Sequence, residues 1–194
     1  KAIDIAAGEE HWLCVTENGD VYSWGNNRFG QCGHGDPEKV GGSVFAPKQI
    51  EEFTKRNIRA TSCWAGNCAQ ASAVISREGQ VFVFGKVPVE KQLFVEAQQE
   101  EFEPYFKEEN GGRYSMFAGC FAYIPMRIDV HSESIPGQSN GAIVQISFFS
   151  NTAFFVKRRQ DDSKEDADEK DDAVHYLRAN EVAKMYGKSC NDGI

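Results

Sequence analysis

The stretch Val21–Asp36, VYSWGNNRFGQCGHGD, decides how the rest of the chain is read. An alternating run, Val21-Tyr22-Ser23-Trp24, stops at Gly25, and further glycines follow at 30, 33 and 35. Alternation with aromatic and β-branched residues predicts a half-buried strand. Glycines at such short intervals predict tight turns or close backbone approaches. Just upstream, LCVTENGDVYSW is two alternating runs meeting at Asn18-Gly19, and this dipeptide strongly favours a two-residue hairpin. A phosphate-binding loop would need a Lys-Ser/Thr pair and a following helix, and neither is here. The stretch marks a fold and no chemistry.

The pattern recurs. HWLCVTENGDVYSWG (His11–Gly25) aligns with ASAVISREGQVFVFG (Ala71–Gly85), so that Gly19 meets Gly79, Trp24 meets Phe84 and Gly25 meets Gly85, each pair 60 residues apart. Downstream, PKQI (Pro47–Ile50) answers PMRI (Pro125–Ile128). A third copy opens at VQISFFSNTAFFV, where Ile146–Val156 reads like Ile5–Val15. There an acidic run replaces the hairpin turn, and AVHYLRAN stands where the first copy has DVYSWGNN. Ala173–Met185 also reads as a helix with Asp172 as N-cap, but the repeat register favours a strand at least to Arg178. Short strands, hairpin turns and a period near 60 predict small sheets set around an axis or stacked in an array.

The residues IAAGEEHWLCV (Ile5–Val15) followed by NGDVYSWGNNRFGQCGHGD resemble the repeat of the regulator of chromosome condensation family. Gly8, His11, Trp24, Gly25, Asn27, Gly30, Gln31, Gly33 and Gly35 all fall on its pattern; Trp12 stands where a small residue is usual and Cys32 where Leu is. The match is specific over residues 3–50. The second copy lacks the signature His and the Gly-Gln-Leu-Gly stretch, and the third keeps little beyond its alternation. The resemblance implies an all-β chain, a partial β-propeller of four-stranded antiparallel blades cut from a seven-bladed ring. About three repeats are expected, at roughly 3–57, 58–142 and 143–194, with insertions at 86–124 and 160–172, as a fragment of a longer chain. Gly8, Gly19, Trp24, Gly25, Gly30, Gly33 and Gly35, with Gly79, Phe84 and Gly85 of the second copy, are then structural.

Composition bounds the function. The 194 residues carry a net charge of −8, but 161–172 alone carries −6 and 86–112 carries −4, leaving the rest at +2. The one basic cluster, Lys157-Arg158-Arg159, is too short for a duplex-binding face. No apolar run is long enough for a transmembrane helix. Six irregularly spaced cysteines read as reduced thiols of an intracellular, cytoplasmic or nuclear protein, and Cys63 and Cys68 lack a second pair at zinc-finger distance. No metal or organic cofactor is expected. Four histidines without a nucleophile, zinc-protease or paired-carboxylate motif give no active site.

The expected function is therefore a protein–protein interaction module, with no direct contact to nucleic acid or membrane. The candidate contact residues are Glu9, Glu10, His11, Trp12, Asn26, Asn27, Arg28 and Phe29, with Phe102, Tyr105 and Phe106 of the insertion. His11 reads either as a packed, hydrogen-bonded residue or as a surface contact, and His34 as a solvated turn residue. The insertion spaces Leu93, Phe94, Ala97, Phe102, Tyr105 and Phe106 as on a helix. It either folds its aromatics back on the blades or docks a partner. The acidic run is either a solvated loop or a site for a basic protein segment. The resemblance also implies an alternative, a guanine nucleotide exchange factor for a Ran-type small GTPase. Exchange needs no acid–base residue, only tighter binding of the nucleotide-free GTPase.

Overall fold

A computed structural model describes residues 1–66, 70–96, 99–110, 118–129, 143–149, 152–158 and 172–178. The chain is built from antiparallel sheets, as the alternation predicts. Sheet 1 contains β1 (Ala2–Ala7), β2 (His11–Thr16), β3 (Val21–Asn26) and β4 (Ser43–Gln49), in the order β1-β2-β3-β4. Sheet 2 contains β5 (Ala60–Ala65), β6 (Ala71–Ser76), β7 (Val81–Val87), β8 (Phe106–Asn110) and β9 (Ala118–Ile128), in the order β5-β6-β7-β9-β8. Sheet 3 contains β10 (Ile143–Phe149), β11 (Thr152–Arg158) and β12 (Asp172–Arg178). Two short helices, α1 (Pro37–Val40) and α2 (Glu51–Lys55), flank β4.

The hairpins sit where the Gly signals put them. Gly19 (φ +83°) turns β2 into β3, and Gly79 (φ +75°) turns β6 into β7. β12 is a strand paired in register with β11, from Thr152 opposite Arg178 to Arg158 opposite Asp172, and not a helix start. Both ends of the 86–124 segment belong to sheet 2, since β7 runs to Val87 and β9 begins at Ala118. Between them the spacing that suggests a helix is met by two 3₁₀ turns, Lys91–Leu93 and Glu100–Tyr105, and then by β8. Pro104 removes a backbone donor inside the second turn, which limits any longer helix. Sheet 2 thus has five strands, one more than the family blade. The run 160–171, residues 179–194, Cys68, Cys190 and His131 lie outside the described residues.

Sheet 2 is covered on both faces, so every residue of β6 and all of β7 but Lys86 are buried. Toward sheet 1, Val74, Phe82, Phe84 and Cys63 pack on Leu13, Val15, Val21, Ile50 and Phe53. Toward sheet 3, Ala73, Val81, Val83, Met126 and Ile128 pack on Ile143, Ile146, Phe148, Ala153 and Phe155. Phe53, on α2, meets Phe82 (5.6 Å) and Phe84 (6.5 Å) edge to face. It is only 1% exposed, so Phe53→Ala should lower the unfolding free energy by about 3–5 kcal/mol, read from the urea midpoint at unchanged slope.

Candidate functional site

The junction of sheets 1 and 2 is made by the glycine-rich loop of the first repeat. A Cβ on Gly25 (φ +105°) would meet Glu10 O at 2.3 Å, and one on Gly85 (φ +92°) would meet Gln70 O at 2.3 Å and Gln31 Cα at 3.0 Å. Only glycine lets these backbones pass so closely. Gly33 lies on Phe84 and Pro125, Gly30 lies on Tyr123, and the Gly35 N–H donates to Tyr123 O at 2.9 Å.

Two histidines are wired into this junction. Ser72 Oγ donates to Gln31 O (2.7 Å), which uses its single proton, so His11 Nε2–H donates to Ser72 Oγ (2.9 Å). The chain runs from sheet 1 through sheet 2 back to the sheet 1 loop. The same arrangement recurs on a smaller scale, where Ser23 Oγ donates to Cys32 O (2.6 Å) and pairs with His34 Nε2 (3.0 Å). Burial lowers the pKa of His11 to about 4, against a smaller opposing effect of a hydrogen bond with the Ala71 backbone. His34 is likewise lowered to about 4, by burial first and then by the Lys48 charge. Both are neutral imidazoles at pH 7.

His11 and Asn27 are therefore not contact residues. His11 is 1% exposed and Asn27 0%. Asn27 closes its own loop, accepting from Cys32 N (3.0 Å) and donating to Gly41 O (3.2 Å). His34 is half-buried rather than a solvated turn residue. Trp12 is exposed, but it lies flat on Trp24, with planes 2° apart and centroids at 6.1 Å, on the open face of sheet 1.

Glu9, Glu10, Asn26, Arg28 and Phe29 remain as an accessible rim. Asn26 Nδ2 donates to Glu10 Oε2 (2.5 Å), and Asn26 Oδ1 accepts from Arg28 N (2.9 Å), so the rim is ordered by its own polar groups. Phe29 stacks on Phe121 at 6.1 Å, with Lys86 Nζ 5.7 Å from its ring.

The insertion is pinned by a residue that sequence reasoning missed. Arg56, just after α2, donates to Pro125 O (3.1 Å) and Glu96 Oε1 (2.5 Å), with its guanidinium 5.2 Å from the Phe82 ring and 5.9 Å from the Phe102 ring. Glu96, 6% exposed, also accepts from Arg127 N (2.8 Å). No motif announced this pair, since its members are 40 residues apart. Phe102 and Phe106 are half-buried against the core of sheets 2 and 3, whereas Tyr105 is 37% exposed. Beside the clamp lies a cleft of about 710 Å³ lined by His34, Lys48, Arg56, Glu96, Phe102 and Arg127. Among the described residues no group of three or more His, Cys, Asp or Glu could hold a metal ion, and Cys14, Cys32, Cys63 and Cys120 are free thiols. No helix among them is long and apolar enough to cross a membrane.

Two models of the regulator of chromosome condensation repeat match the chain, at residues 18–67 and 2–31. Residues 2–67 thus carry the repeat of the regulator of chromosome condensation family. Among curated proteins, human E3 ubiquitin-protein ligase HERC2 is 36% identical over 67 residues, 34% of this chain and 1% of that protein. Guanine nucleotide exchange factor SRM1 of Saccharomyces cerevisiae is 32% identical over 83 residues, 43% of this chain and 16% of that protein. The solved structure of Prp20p from Saccharomyces cerevisiae, described with its binding to Gsp1p and histones, superposes with a TM-score of 0.52 at 19% identity. It covers 92% of this chain and 32% of that one, and shows the fold alone. The chain thus spans less than a third of the length of each of these proteins. Its sheets are a segment of a β-propeller, and the regulator of chromosome condensation repeats supply the loop that locks the first sheet to the second.

His11, buried, and His34, half-buried, make stability pH-dependent. Their folded pKa values lie below the ordinary 6.5, so the unfolded chain binds more protons between pH 6.5 and about 4. Their contribution is full above pH 6.5 and lost as pH falls toward 4. His11→Gln should flatten the fall in urea midpoint over that window by up to one proton's worth of slope, measured against the parent chain.

Proposed function

We propose that residues 1–194 act as a protein-interaction module within a larger polypeptide. The observation that carries this reading is the Arg56–Glu96 clamp, which fixes the insertion to the blades while Tyr105 stands exposed at the end of an acidic turn containing Glu100, Glu101 and Glu103. A rigid aromatic ringed by charge binds at little entropic cost, as residues that dominate interfaces do. The rim of Glu9, Glu10, Asn26, Arg28 and Phe29 is a second contact region. A basic protein segment is the partner that the acidic turn fits. Tyr105→Ala combined with Glu101→Lys should lower partner capture on the immobilised chain at least about tenfold, with an unchanged urea midpoint. Undiminished capture would remove the insertion from the interface.

A second reading, nucleotide exchange on a Ran-type GTPase, draws on the likeness to SRM1, whose name records that activity. Release of fluorescent GDP from a Ran-type GTPase decides it. Acceleration by the polypeptide carrying these residues, lost on changing Arg28 and Phe29 to Ala, supports exchange; an unchanged rate leaves the interaction module.

A further inference from the structure

Tyr105 ends the 3₁₀ turn Glu100–Tyr105 with its ring exposed, while Phe102 of the same turn packs against the core. Glu100, Glu101 and Glu103 precede the tyrosine, and β8, at one edge of sheet 2, carries the chain onward from it. A phenol so placed is within reach of another enzyme. Acidic residues on its N-terminal side suit the basic substrate groove of a tyrosine kinase. Tyr22 and Tyr123 offer no such access, for both are half-buried within β3 and β9, and Gly30 lies on Tyr123.

The Tyr105 ring also lines the cleft beside the clamp. Two of the cations there are already paired, Arg56 with Glu96 and Lys55 with Glu51 (3.3 Å). Lys48 and Arg127 have no ion-pair partner among the described residues. The Arg127 Nε–H is moreover buried without an acceptor, which carries a desolvation cost. The opposing carboxylates at the cleft are Glu52 and Glu101. A phosphate on Tyr105 has three acceptor oxygens and close to two charges, which bond to a guanidinium and an ammonium but not to a carboxylate. Glu101 is exposed and can turn into water, whereas Arg127 is half-buried, so its attraction is screened less.

We propose that Tyr105 is a phosphorylation site for a tyrosine kinase, and that its phosphate is held in the cleft by Lys48 and Arg127. The kinase supplies ATP as the donor. A bond forms between Tyr105 Oη and the γ-phosphorus, the bond from that phosphorus to the β,γ-bridging oxygen breaks, ADP leaves with the electron pair, and the phenol proton passes to the kinase's base. The modification needs only the exposed phenol and the two unpaired cations, and does not depend on the partner reading above.

The site is tested by treating the full polypeptide with Mg-ATP and a tyrosine kinase that selects acidic residues ahead of its target, then mapping the product by mass spectrometry. Tyr105 is expected to take up phosphate ahead of Tyr22 and Tyr123, and Tyr105→Phe to remove that incorporation. Phosphate on the other tyrosines with Tyr105 bare would overturn the assignment. Capture is read from a phosphorus NMR titration of the modified chain, since a free phosphotyrosine titrates near pH 6. The two cations favour the dianion, so the midpoint is expected below about 6, with Arg127→Gln raising it by about half a unit. Lys48→Gln, at an exposed position on β4, gives the same reading without touching the core. A midpoint that neither substitution moves, or one raised by the neighbouring carboxylates, would overturn the capture.

Discussion

The sheet 1 side of the molecule depends on the passage of Gln31 over Gly85. With a Cβ on Gly85 only 3.0 Å from Gln31 Cα, no other residue lets the loop lie that close to sheet 2. Once it lies there, Gln31 O is in place to accept from Ser72, Ser72 is oriented to accept from His11, and Gly33 can rest on Phe84. Each of these contacts presupposes the others. The polar chain sits between apolar layers, where an unmade hydrogen bond is costly, so it selects one seating of the loop more than it adds net stability.

The sheet 2–sheet 3 junction is built differently. At the place of His11 the second copy has Ala71, and no polar chain joins the described faces there; packing of Ala73, Val83 and Met126 on Ile146 and Phe155 suffices. Register at the first junction is therefore specified twice, by shape and by hydrogen bonding. The insertion is held by yet another device, a guanidinium between two aromatic rings and a buried carboxylate. Arg serves there where Lys would not, because its planar fork reaches Pro125 O and Glu96 together while its face lies on Phe82 and Phe102.

Much of the architecture was legible because its signals are local. The hairpins at Gly19 and Gly79, the strand pairs 60 residues apart and the glycine loop follow from alternation and φ requirements within a few positions. The extent of β12 followed from the repeat register, which outweighed its helix-like start. Less legible was anything set by distant partners. The helical spacing of Leu93–Phe106 arose because both a helix and an irregular segment folded back on a sheet place apolar residues at intervals of three or four. Asn27 carries the polarity that in a loop normally means exposure, whereas here it is spent inside its own loop, and His11, open in the sequence between a packed and a surface role, bonds to Ser72 across the junction. Arg56 gave no signal at all, since one arginine after a short helix is indistinguishable from a solvated one until Glu96 is brought against it.

The two sheets are coupled through the His11 imidazole and the Ser72 hydroxyl. A double-mutant cycle of His11→Ala and Ser72→Ala, read from urea unfolding at pH 7, measures that coupling directly. A coupling of about 1–2 kcal/mol between residues 61 apart in sequence is predicted. Strictly additive single-mutant effects would contradict it and leave the junction to apolar packing alone.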